Sequence, residues 1–154
     1  MSPVDMNADP VELSVRERQA LSRLLAIANP QQRLTELLRQ APTAPPDDQL
    51  CREAYAVPGC LSSLWIRGTL NNGRCHFDSY SDARIVHAAV AWLCGVYSGC
   101  EPAALAGHTS TLIADAGLAS LLSHSRRNAL AKAWAAMQKE AAILVRPHPV
   151  FSDT

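Results

Sequence analysis

The hydrophobic rhythm of the chain changes twice. From residue 14 to residue 41 apolar side chains recur every three or four positions, the spacing of a helix face. Ser14, with Glu17 three residues on, has the capping-box pattern of a helix start. Leu21, Leu24, Leu25 and Ala28 follow at helical spacing. Asn29-Pro30 ends that helix, because the residue before proline is pushed out of the α region. Pro30 suits the first turn of a second helix, whose stripe is Leu34, Leu37, Leu38 and Ala41. The proline-rich run from Pro42 to Asp48 is a rigid connector.

Short apolar segments replace the helical period after this connector. Residues 52–57 read as a short strand ending at Val57, and Pro58-Gly59 forces a turn. Leu64 to Gly68 is a second strand containing Trp65 and Ile66. Asn71-Asn72-Gly73 is a hairpin turn, since Asn and Gly tolerate positive φ, and Arg74 to Ser79 returns. The expectation is a small three-stranded antiparallel sheet, with Cys60 in the turn between its first two strands.

The helical period resumes at Ser81. Asp82, Ala83, Ile85, Val86, Ala89, Val90, Leu93 and Val96 suit a long, largely buried helix closed near Gly99. Ser81 or Ser79 can cap it, and Asp82 favours its positive end. Pro102 opens a short helix, and Leu112 to Ala116 suggests another. Ser123 or Ser125 caps a last helix from about Arg126 to Leu144, with Leu130, Trp134, Met137 and Ala141 on one face. Pro147 and Pro149 end regular structure. Segregated elements of this kind indicate an α+β fold, with the sheet packed against helices, and not a parallel βαβ sheet. The expected organisation is a flexible extension over 1–13, one domain over 14–146 and a tail over 147–154.

Composition narrows the function classes. The 154 residues suggest one domain, and 48% apolar with 18% charged residues fits a globular chain. Acidic and basic residues balance at 14 each, with no basic tract, so neither nucleic acid nor anionic lipid is an expected partner. No basic region followed by an apolar run opens the chain, and no apolar stretch approaches the roughly 20 residues of a membrane span. A cytoplasmic location is expected. The five cysteines, at 51, 60, 75, 94 and 100, then read as free thiols.

Cys60 stands out because it follows a Pro-Gly turn and precedes an apolar strand. Such a turn can lift a thiol toward an incoming partner. A thiol is partly ionised near neutral pH, enough for exchange with an activated sulfur. A small buried hydrophobe explains the same residue, and taken alone its surroundings favour that simpler reading. Cys94 reads as core, Cys100 as packing at a helix end, and Cys51 and Cys75 as non-functional. Cys75-His76, His87 and His108 lack the spacing of a zinc site. No base stands at a known spacing from Cys60, and no glycine-rich phosphate loop is present. Arg126 and Arg127 open the last helix, where cations are mildly unfavourable. They are either a solvated pair or reach a loop, a carboxylate or a partner.

Four motifs in order resemble the SufE/CsdE sulfur-acceptor family. Gly59-Cys60-Leu61-Ser62-Ser63-Leu64-Trp65 resembles its Gly-Cys-x-Ser-x-Val-Trp signature, and Ser81-Asp82-Ala83-Arg84-Ile85-Val86 its Ser-Asp-Ala-x-Ile-Val helix start. Tyr97 with Pro102 matches a Tyr…Pro step. The run from Leu122 to Leu130 matches Leu-(Ser/Thr)-x-Ser-Arg-x-(Asn/Gln)-Gly-Leu. The similarity runs from about residue 20 to residue 144. Leu61 departs from the usual glutamine and Ala129 from the usual glycine.

The resemblance implies a SufE/IscU-like α+β fold. It also implies a persulfide acceptor, Cys60, that takes sulfur from a cysteine desulfurase of the SufS/CsdA type and stimulates it. Sulfur then passes to iron–sulfur scaffold proteins. Asp82, Arg126, Gly59 and Ser62 fall on positions expected to hold the cysteine loop or help dock the desulfurase. No cofactor or metal is expected on this chain, since pyridoxal phosphate belongs to the partner. The expectation is an accessory sulfurtransferase more than a stand-alone enzyme. The competing reading is a non-catalytic regulator that binds a desulfurase without carrying sulfur.

Overall fold

A computed structural model describes residues 10–145 of the chain. Helix α1 spans Pro10–Leu25. Its first turns include Leu13, an inward-facing position at 3% exposure. Ser14 is exposed inside the helix and does not cap it. The tail expected over 147–154 and residues 1–9 of the extension lie outside the described residues. Helix α2, Pro30–Gln40, begins as its sequence suggests. The Asn29 side chain accepts the N–H groups of Gln31 at 2.8 Å and Gln32 at 3.2 Å, satisfying donors left open in the first turn.

Strands β1, Leu64–Asn71, and β2, Arg74–Ser81, form an antiparallel hairpin running from Leu64↔Ser81 to Asn71↔Arg74. Asn72 and Gly73 turn the chain with φ of 55° and 79°, the handedness that matches strand twist. Period-two alternation points Leu64, Ile66, Cys75 and Phe77 into the core.

The expected third strand is a correction: the sheet has two strands among the described residues. Residues 52–57 instead hold a 3₁₀ turn, Glu53–Tyr55, and a single bridge, Ala56↔Trp65. The N–H groups of Tyr55 and Ala56 are taken by the carbonyls of Arg52 and Glu53, so they are lost to a ladder. Val57 donates to Leu64 at 2.8 Å, and Pro58, lacking an N–H, stops the pairing there.

Helix α3 spans Arg84–Tyr97, starting slightly later than Asp82. Ser81 Oγ accepts the Ala83 N–H at 3.1 Å just before the helix. Helix α3 packs on β2. Short helices α4, Pro102–Ala106, and α5, Leu112–Asp115, follow it. The last helix, α6 over His124–Val145, packs on β1, α3 and α4. Ser123 Oγ accepts the Arg126 N–H at 3.3 Å at the start of α6. Farther along α6, the Glu140 carboxylate accepts the Gly68 N–H of β1 at 2.9 Å.

A polar knot ties the N-terminal helix to this core. Tyr97 is fully buried, donates its hydroxyl to Glu17 and shares a hydrogen bond with Ser110 Oγ at 2.7 Å. The same Glu17 oxygen lies 2.7 Å from His108 Nε2. Glu17 therefore anchors α1 and plays no part in a capping box.

Candidate functional site

Residues 58–63 form a loop whose ends are closed by the Val57–Leu64 hydrogen bond. Gly59 adopts φ +84°, a left-handed conformation that a side chain would strain. Its carbonyl accepts the Asn128 side-chain amide of α6 at 3.2 Å. At the other end of the loop, Ser63 donates its N–H to Asp82 Oδ1 at 3.1 Å. Two elements distant in sequence thus hold the loop from opposite ends.

Cys60 lies between these tethers. It is half-buried and packs at the edge of the main core, while Leu61 turns outward at 89% exposure. Burial pushes the Cys60 thiol above its ordinary pKa, and the nearby Lys132 ammonium partly opposes that shift. The Lys132 chain crosses Gly59 so closely that a Cβ there would lie 2.7 Å from its Cε. A groove of about 250 Å³ runs beside the loop, between Tyr55, Val57 and Pro58 on one wall and Lys132, Lys139 and Glu140 on the other.

The structure brings Gly59, Cys60, Ser62 and Asp82 together; Ser62 lies in the loop itself. Arg126 does not join them. Its exposed side chain makes no hydrogen bond or ion pair with a described residue, and only its backbone N–H is engaged, by Ser123. Arg127 instead donates to the carbonyls of Ala119 at 3.1 Å and Leu122 at 2.8 Å, bracing the turn before α6. Asn128 and Lys132 are further contacts of the loop. Asn128 was visible only as a member of a motif. Lys132 carried no signal, since its neighbour is set by how α6 crosses the loop.

The other described cysteines differ in kind. Cys75, Cys94 and Cys100 are buried, and burial pushes their thiols to about 12, 12 and 11. Cys51 is half-buried, and burial with Asp48 and Asp47 raises its pKa. Cys75 and His76 point to opposite faces of β2, so they cannot chelate one ion as neighbours. Among the described residues no group of three or more His, Cys, Asp or Glu is placed to hold a metal, and no helix is long and apolar enough to cross a membrane.

Fold and site together define an α+β domain that carries one half-buried thiol on a doubly tethered loop. The chain belongs to the SufE family, whose Fe-S metabolism associated domain matches residues 18–141. It is 34% identical over 112 residues to the sulfur acceptor protein CsdE of Escherichia coli (strain K12), covering 70% of this chain and 75% of that one. It is also 32% identical over 88 residues to the SufE-like protein slr1419 of Synechocystis, covering 57% of this chain and 55% of the relative. A solution structure of a Thermus thermophilus protein shares the fold, with a TM-score of 0.63 at 18% identity over 84% of this chain and 96% of that one.

Proposed function

We propose that Cys60 accepts sulfur from the persulfide of a SufS/CsdA-type cysteine desulfurase, stimulates that enzyme and passes the sulfur to iron–sulfur assembly. Family membership and the similarity to a sulfur acceptor protein support the reaction class. The observation that selects the residue is electrostatic. Of the two half-buried cysteines, Cys60 has a cation, Lys132, beside it, whereas Cys51 has two carboxylates. A thiolate is favoured next to the cation and opposed next to the carboxylates.

The step needs no further reactant. The Cys60 thiolate attacks the outer sulfur of the desulfurase persulfide, and a new S–S bond forms at Cys60. The old S–S bond breaks with its electron pair on the departing desulfurase thiolate. Any proton on the transferred sulfur stays with it and ionises to solvent. Pyridoxal phosphate acts in the partner, where the persulfide is made.

Cys60 packs inward at rest, so the loop must turn it out on docking. Pro58 and Gly59 supply the hinge. The two tethers are single exposed hydrogen bonds, each worth about 1 kcal/mol, which a docked partner can offset. Exposed Arg126 and Leu61 are free to meet the partner surface. Amide exchange across residues 57–63 should quicken on desulfurase binding.

Incubation with a desulfurase and cysteine should add one sulfur mass to Cys60, and Cys60→Ser should abolish both this gain and the stimulation. Stimulation unchanged by Cys60→Ser, with no mass gain on the wild type, would instead identify a regulator that carries no sulfur.

A further inference from the structure

Two side chains of α6 meet the acceptor loop from one side. Asn128 donates to the Gly59 carbonyl at 3.2 Å. Lys132 stands four residues on, the next position along the same helix face. Its chain lies across Gly59, where a Cβ would sit 2.7 Å from Lys132 Cε and 3.0 Å from Nζ. The bare Cα of Gly59 therefore admits the Lys132 chain over the residue that precedes Cys60.

The surrounding charges leave this ammonium uncommitted. Lys132 is exposed and makes no ion pair with a described residue. Across the groove stands Tyr55, and along α6 stand Lys139 and Glu140. The Glu140 carboxylate is engaged by the Gly68 N–H at 2.9 Å. Asp82, at the far end of the loop, is engaged by the Ser63 N–H at 3.1 Å. Lys132 already acts against the burial that raises the Cys60 thiol.

We propose that Lys132 is a positioning residue for sulfur transfer, a tethered ammonium that attracts the anionic sulfur of Cys60 both as thiolate and as the persulfide formed from it. This rests on Cys60 being the acceptor. The role belongs to a flexible cation, because the sulfur moves outward by one bond length on transfer. A four-carbon stem pivoting over Gly59 can follow it, where a fixed backbone donor cannot.

The test reads Cys60 directly and needs no desulfurase. The pH dependence of Cys60 alkylation by iodoacetamide is measured on the full chain, with peptide mass spectrometry separating Cys60 from Cys51. Lys132→Gln should raise the midpoint by roughly half a unit and slow alkylation near neutral pH roughly threefold. Lys132→Arg should restore the wild-type profile, and Lys139→Gln should leave it unchanged. Added salt should move the wild-type midpoint toward that of Lys132→Gln, a readout independent of any variant's folding. Superimposable wild-type and Lys132→Gln profiles, an equal shift from Lys139→Gln, or a salt-independent wild-type midpoint would overturn the proposal. Sulfur acceptance by Cys60→Ser would overturn the acceptor assignment while leaving this profile intact.

Discussion

The Asp82 carboxylate accepts the Ser63 N–H at 3.1 Å, fastening the C-terminal end of the Cys60 loop to the approach of α3. The bond joins residues 19 apart through an intervening hairpin, so it reports tertiary structure and not a local turn.

Asp82→Ala should therefore loosen the loop more than it destabilises the fold. One exposed hydrogen bond to a carboxylate contributes about 1 kcal/mol, measurable as a lower urea midpoint with an unchanged slope. Amide exchange at residues 61–63 should rise further than the global change explains. Asp82→Asn keeps an accepting oxygen and should lose less. Equal effects from the two substitutions would point to charge and not to the hydrogen bond.

Gly59→Ala should cost about 1–2 kcal/mol, because φ of +84° strains any side chain. A Cβ also meets Lys132 Cε at 2.7 Å. Combining Gly59→Ala with Lys132→Ala should recover part of the loss but not the backbone strain. A double-mutant cycle by denaturant unfolding separates the two, and a zero coupling energy would contradict the contact.

The buried thiols predict a specific weakness at high pH. Burial raises Cys75, Cys94 and Cys100 to about 12, 12 and 11, so the folded chain keeps protons that the unfolded chain releases. Unfolding then releases protons, and stability falls as pH rises. The loss starts near the free-thiol value of about 8.5 and reaches up to about 1.4 kcal/mol per pH unit for each thiol. Urea midpoints should decline throughout that window. Cys94→Ala should begin less stable near neutral pH yet decline less steeply.

Tyr97→Phe should cost roughly 1–3 kcal/mol, since Glu17 loses a buried donor and Ser110 a partner. His108 remains on the same carboxylate oxygen, so α1 should stay docked. Thermal unfolding should show a lower midpoint and still one transition. A separate early melting of α1 would mean that the hydroxyl alone holds it.

Much of this architecture is legible in the sequence because its signals are local. Asn72-Gly73 specifies its own turn, and Asn29-Pro30 its own helix break. The third strand fails for an equally local reason that composition conceals. Tyr55 and Ala56 spend their N–H groups on a 3₁₀ turn, and Pro58 has none to offer. Ser14 with Glu17 imitates a capping box, yet Glu17 answers to Tyr97 and His108, far along the chain. The loop tethers divide in the same way. Asp82 and Asn128 belong to motifs, so a family resemblance marks their segments, while Lys132 depends on the angle at which α6 crosses the loop and leaves no trace in spacing.

Asp82 precedes α3 and Asn128 rides on α6, so the two ends of the Cys60 loop are moored to two helices that pack on each other. The distance between the moorings follows from how α3 packs on α6. A change in that packing would shift one mooring against the other, and the loop with them. The interior of this small protein therefore serves as the gauge that fixes how far its reactive atom stands from the surface. Its packing is under chemical as well as structural constraint.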